Sequence, residues 1–318
     1  MENIILGIDI GGTFIKIGLI NESGKILHKW EIPTNTKDQG VHIVPDIWQS
    51  TKVQLKQSNI SEANLIGIGI GVPGFVHPET NIVENAVNIG WQQFDLIDTF
   101  KQLTNLPVYV ANDANIAALG ENWQGAGEQA KNLLAVTLGT GVGGGIIVNG
   151  SLLVGENGTA GEIGHITVDP QGGLCNCGRR GCLETIASAT GIVHQAKNII
   201  QKHPGSKLAE VVRTTGEITA KDVFDLAKQN DEFALNIIHR TLDILGFVIA
   251  NIATMINPEK IIIGGGVSKA GSFLTEILEH YFKQYALPRL YEICTITEAK
   301  LGNDAGMIGA AYLVKENL

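Results

Sequence analysis

The chain has 318 residues, long enough for two domains of ordinary size, and its 44% hydrophobic and 17% charged residues are the profile of a folded globular protein. A formal net charge of −9 without any basic stripe argues against a nucleic-acid partner and has solubility as its plain meaning. The 39 glycines fall in clusters, which points to tight turns lying against a ligand or another backbone.

The opening MENIILGIDIGG has no basic n-region and enters a strand pattern at once, so no secretory leader is expected. Residues 4–20, IILGIDIGGTFIKIGLI, predict a strand, a turn at Gly11-Gly12 and a second strand. NLIGIGIGVPG, 64–74, predicts a buried strand ending in a glycine-proline turn. LPVYVANDANIAALGENW predicts a strand that breaks at Asn112-Asp113 and continues as a helix. Residues 133–148, LLAVTLGTGVGGGIIV, repeat the first design about 128 residues later, with Gly139-Thr140-Gly141 at the turn. That repetition implies an internal duplication and two related domains.

Residues 233–256 predict one long apolar helix with Gly246 as its weak point, stopped before Pro258. Its apolar run LDILGFVIANIATMI is interrupted by Asn251 and Thr254 and is too short to span a bilayer, so a cytoplasmic protein without a membrane partner is expected. KIIIGGG predicts a strand with a glycine-rich exit, followed by a helix over 272–284 and a final helix from Asp304. Strands alternating with helices predict an α/β architecture. Hinges near 111–116 and 302–305 divide it into a small domain, 1–115 with 304–318, and a large one, 116–303.

Asp9, Gly11, Gly12 and Thr13 place a carboxylate, two backbone donors and a hydroxyl at one hairpin tip, where an anion and its metal ion can be held. An ordinary turn is the alternative for any one such tip. Three of them, with Gly139, Thr140 and Gly141 and with Gly264, Gly265 and Gly266, favour phosphate binding. They are neither a P-loop nor a dinucleotide fingerprint. Asn112-Asp113 at a strand end either carries a proton acceptor for a substrate hydroxyl or caps the helix that follows; on the dipeptide alone the cap is the better reading.

Cys175, Cys177 and Cys182, with His165 ten residues upstream of the first, form the donor set of a closed tetrahedral zinc site; buried free thiols or a redox pair are the alternatives. Cys294, far off on an apolar strand, reads as a core residue. Glu162 and Glu184 flank the cluster. Carboxylates beside a zinc-bound histidine, whose second nitrogen must carry its proton, suit a neutral polyhydroxyl ligand.

The strings DIGGT, VPG, NDAN, LGTGVGGG, GEIGH and above all CNCGRRGCLE resemble the ROK family of repressors, open reading frames and kinases, from residue 4 to at least 310. Within the family the chain looks like the ATP-dependent glucokinases of Gram-positive bacteria. The resemblance implies a two-domain actin-like, ribonuclease H-like fold with the active site in the cleft between domains. It implies Asp113 as general base on the sugar 6-hydroxyl, and Asn112, Glu162, His165 and Glu184 on the other hydroxyls, with Asn88 close to the sugar. Gly11, Gly12, Thr13, Gly139, Thr140 and Gly141 would surround the ATP phosphates and Mg²⁺, Gly264, Gly265 and Gly266 would line the adenosine, and His165, Cys175, Cys177 and Cys182 would bind structural Zn²⁺. A homodimer is the family habit. A sugar-sensing repressor would carry a DNA-binding segment ahead of the DIGGT strand, where three residues precede Ile4, so the kinase reading leads. Its alternatives are kinases of N-acetylmannosamine, N-acetylglucosamine, mannose or fructose.

Overall fold

IILGIDI is apolar on both faces, which suits the middle of a sheet covered on both sides, whereas ILHKWEIP alternates and suits an edge. The computed structural model, which describes residues 3–318, places them so. In chain order the elements are β1 (Ile4–Ile10), β2 (Phe14–Asn21), β3 (Ile26–Pro33), α1 (Ile43–Gln57), β4 (Leu65–Val72), β5 (Phe75–Val76), β6 (Val83–Ala86), β7 (Trp91–Phe94), α2 (Leu96–Thr104), β8 (Val108–Asn112) and α3 (Asp113–Gln124). They continue with β9 (Leu133–Leu138), β10 (Val142–Val148), β11 (Ser151–Leu152), α4 (Glu184–Ala187), α5 (Ala189–Lys202), α6 (Lys207–Thr215), α7 (Ala220–Lys228) and α8 (Glu232–Ile256). The chain closes with β12 (Lys260–Gly264), α9 (Ser272–Tyr285), α10 (Pro288–Tyr291), β13 (Thr295–Glu298) and α11 (Ala305–Asn317).

Two compact units emerge: residues 1–129, 145–161 and 300–318, and residues 130–144 with 162–299. These bounds differ from the division expected at 115/116 and 303/304. The helix α3 packs along α11 and so stays with the first unit, and the segment 145–161 returns to it.

In the first unit the sheet order is β3-β2-β1-β4-β8, with β1 antiparallel to β2 and parallel to β4, and β4 parallel to β8. One core holds Ile8, Ile17, Ile70, Trp91 and Phe100, each at most 1% exposed. On the other face α11 lies backbone-to-backbone on the strands: a Cβ on Gly69 would collide with the Ala310 carbonyl, so only glycine permits the approach. Buried Glu121 accepts from the amides of Ala126 (3.0 Å), Lys300 (3.0 Å) and Leu301 (2.7 Å), which fixes the chain at two of the segment ends of this unit.

The second sheet runs β11-β10-β9-β12-β13, with β12 parallel to both β9 and β13. By order of appearance both sheets read third, second, first, fourth, fifth, the pattern a duplication leaves. In the second unit α8 forms the core helix, packed on α9 and α7. With 25 residues it is long and apolar enough to cross a membrane, contrary to the sequence expectation, but Ile237, Leu242, Leu245 and Ile249 on it are buried in the unit. Gly246 is a contact point rather than a weak one: an added Cβ would lie 2.8 Å from Tyr281 Cβ on α9.

Candidate active site

In the first unit β1 delivers Asp9 to the sheet end with its side chain 19% exposed, and hairpin register sets it opposite Lys16, whose Nζ lies 3.6 Å from Oδ2. Burial holds the Asp9 carboxyl above the usual carboxylate range, and Lys16 partly opposes this. The turn after it is closed by the Gly11 amide donating to the Phe14 carbonyl (3.0 Å) and braced by Thr34, whose hydroxyl donates to the Gly11 carbonyl (2.7 Å) and whose amide donates to that of Thr13 (2.9 Å). Gly12 and Thr13 are exposed, and Asn88 stands beside them: a Cβ on Gly12 would lie 3.5 Å from Asn88 Cβ.

At the end of β8, Asn112 takes the cap. Its Oδ1 accepts from the Ala114 amide (2.9 Å) and the Asn115 amide (3.4 Å), and its Nδ2 donates to the Gly74 carbonyl (3.0 Å). One N–H of the Asn112 amide is left for a ligand. Asp113 is the first residue of α3, exposed, with Oδ1 accepting from the Ala114 amide at 2.8 Å. Asn112 therefore holds the cap, and the Asp113 carboxylate stands exposed at the start of α3.

In the second unit the ligand atoms of His165, Cys175, Cys177 and Cys182 all lie within 4.8 Å of one another. Cys177 Sγ stands 3.6 Å from Cys182 Sγ, and Cys175 Sγ 3.7 Å from His165 Nδ1. A tetrahedral zinc with bonds of about 2.3 Å sets its sulfurs roughly 3.7 Å apart, so the set fits that ion. Burial pushes Cys175 up to about 12 and also raises Cys182, while hydrogen bonds from the Arg179 backbone and side chain bring exposed Cys177 down to about 6. The loop closes through bridges Thr167–Cys182 and Leu174–Arg180, and Gly181, at φ 67°, is obligatory because a Cβ would collide with the Asp169 carbonyl. His165 turns Nε2 toward Glu162 Oε2 (4.0 Å), whose carboxyl burial raises and His165 lowers, with Glu184 raising it further.

Both glycine turns of this unit sit at the carboxyl ends of the parallel neighbours β9 and β12, the usual place for a ligand in an open α/β sheet. They border a cavity of about 500 Å³ lined by Gly139, Thr140, Gly266, Val267, Ala220 and Phe224, with Lys221, Asp225, Lys228 and Lys269 at its polar positions. A Cβ added at Gly139 or at Gly266 would meet no protein atom within 4 Å, so nothing in the fold requires glycine there; the space belongs to whatever enters. Gly265 differs, since at φ 84° its Cβ would run into the Leu138 backbone.

The predicted residues thus form two sets, Asp9 to Thr13 with Asn88, Asn112 and Asp113 in the first unit, and the zinc-type cluster, Glu162, Glu184 and the remaining glycines in the second. Sequence reasoning missed Lys16, which hairpin register alone would have set against Asp9. It also missed the cavity wall from α7, whose start is a legible capping box of Thr219 and Asp222.

A family profile described as "ROK family" matches residues 5–317. The chain is 53% identical to a protein of Halalkalibacterium halodurans named glucokinase, over 98% of this chain and 94% of that one. It is 34% identical, with a TM-score of 0.80, to a ROK family glucokinase from Streptomyces griseus solved with glucose and AMPPNP, covering 98% and 99% of the two chains. A ROK family transcriptional regulator, a homologue of the E. coli MLC protein, superposes with a TM-score of 0.87 at 30% identity, over 99% of this chain and 78% of that one.

Proposed function

The chain belongs to the ROK family, and we propose from that premise that it is an ATP-dependent glucokinase, making glucose 6-phosphate and ADP. The single observation that carries the donor half is the 500 Å³ cavity bordered by two glycines whose open side no protein atom fills. Apolar Phe224, Val267 and Ala220 suit a nucleobase, and Gly139-Thr140-Gly141 supplies backbone donors for phosphates.

In this reading Asp113 accepts the proton of the sugar 6-hydroxyl as that oxygen bonds the γ-phosphorus and the bond from phosphorus to the ADP oxygen breaks. Asn88, Asn112, Glu162, His165 and Glu184 hold the remaining hydroxyls. Asp9, a shielded carboxylate with only Lys16 opposing its burial, fits a Mg²⁺ held with the phosphates, and such an ion neutralises their charge when bound. His165, Cys175, Cys177 and Cys182 would hold a structural zinc, and with Nδ1 so engaged His165 would keep its Nε2–H as a fixed donor. The proposal extends to the cytoplasm and, by the family habit, to a homodimer, which sedimentation reads directly. Phosphorus NMR of a reaction with glucose and MgATP tests the chemistry: one sugar phosphate on O6 should form for each ADP. ADP appearing without the sugar phosphate would make the chain an ATPase.

A further inference from the structure

Within the turn Gly139–Val142 the Gly139 amide donates to the Gly141 carbonyl at 3.0 Å. Three further anchors come from one short stretch of chain. The Val142 amide donates to Glu184 Oε2 (3.0 Å), the Ala189 amide donates to the Gly139 carbonyl (2.8 Å), and the Thr190 hydroxyl donates to the Thr140 carbonyl (2.8 Å). A Cβ on Gly141 would collide with Glu184 Oε2, so a larger residue there would push that carboxylate away from the Val142 amide. Ser188, 1% exposed, stiffens the corner by donating to the Glu184 carbonyl (2.7 Å) and accepting from the Gly191 amide (3.0 Å).

The same stretch begins two residues after Cys182. The Leu183 amide donates to the Ile166 carbonyl (2.9 Å), beside His165, and Thr185 donates to the Cys182 carbonyl through both its amide (2.9 Å) and its hydroxyl (2.7 Å). Glu184 Oε1 meanwhile faces Cys175 Sγ at 3.7 Å. One rigid corner therefore touches the cysteine loop on one side and the glycine turn on the other.

We propose that Thr190 is a positioning residue for the nucleotide, and that the corner Glu184–Thr190 couples the glycine turn to the loop carrying His165 and the cysteines. The inference rests on the ATP and glucose reading above. Fixing the turn before binding removes an ordering cost that the nucleotide would otherwise meet, and a sugar that holds Glu184 stills the same corner. Sugar and nucleotide then tighten each other's binding by an equal factor.

Thr190→Val keeps the shape and removes the donor to Thr140. The nucleotide Kd, measured by calorimetry with AMPPNP, should rise roughly three- to tenfold, the range of one net hydrogen bond. Glucose Kd measured alone and zinc content should stay at parent values, the factor by which glucose tightens AMPPNP should shrink, and Thr190→Ser should restore both. A valine variant with AMPPNP Kd within twofold of a parent that binds both ligands overturns the inference alone. Equal losses of AMPPNP affinity, glucose affinity and zinc would make Thr190 a general fold residue and overturn it too. A parent that binds neither ligand overturns the proposed function, and the inference with it.

Discussion

The two hairpins share their place in the strand order and differ in what stands two residues before the turn: Asp9 before Gly11, Thr137 before Gly139. Asp9 faces Lys16 across the hairpin, while Thr137 pairs with Gly264 on β12. The first turn presents charge held by its own hairpin. The second presents neutral backbone and open space, held by a corner outside the hairpin. A duplicated scaffold thus fixes where a ligand can be met, and a few side chains decide whether the meeting is electrostatic or steric.

The largest effect expected from the charged side is at Asp113. Asp113→Asn should lower kcat by about 10²–10⁴-fold, the usual contribution of a positioned base, with glucose still binding in calorimetry. Because Asn112 holds the cap, Asp113→Ala should lose rate to the same degree and little stability. An Asn variant turning over at more than a tenth of the parent rate would return Asp113 to a structural role. On the second side, Cys177→Ser should weaken zinc retention by roughly tenfold or more and glucose affinity with it, since the ligands fix the loop of His165 and Glu184. Elemental analysis beside glucose calorimetry reads both; zinc lost with glucose Kd unchanged would detach the metal from sugar recognition.

Smaller effects sharpen the contrast. Asn112→Ala should cost about 1 kcal/mol in denaturant unfolding by removing the α3 cap. For Asp9 the native carboxyl is raised, so the folded protein binds that proton more tightly than the unfolded chain does. Its contribution favours the fold below the unfolded carboxylate range and is lost as pH rises through the raised value. Asp9→Asn should therefore raise Tm at pH 7 and leave it unchanged below about pH 4. A Tm gain independent of pH would remove burial of the charge as the cause.

Much of this was legible because it is local. The hairpin at 4–20, the break at Asn112-Asp113, the helix at 233–256 and the Cys₃His set follow from short patterns. What escaped depends on distant partners. Gly246 looks like a helix breaker until α9 lies against it, and the return of 145–161 to the first unit leaves no mark in composition. The α7 wall of the cavity reads locally as an ordinary amphipathic helix, and the hold of Glu184 on Val142 spans 42 residues. Each is a tertiary contact that no window of a dozen residues contains.

The central claim is that these two turns serve transfer from ATP to glucose. A coupled assay of kcat/KM across glucose, mannose, fructose, N-acetylglucosamine and N-acetylmannosamine, at saturating MgATP, tests it most directly. The account predicts the highest value for glucose. An N-acetylated hexose outperforming glucose tenfold or more would contradict the assignment of the sugar, and no turnover with any of the five would contradict the account of the site itself.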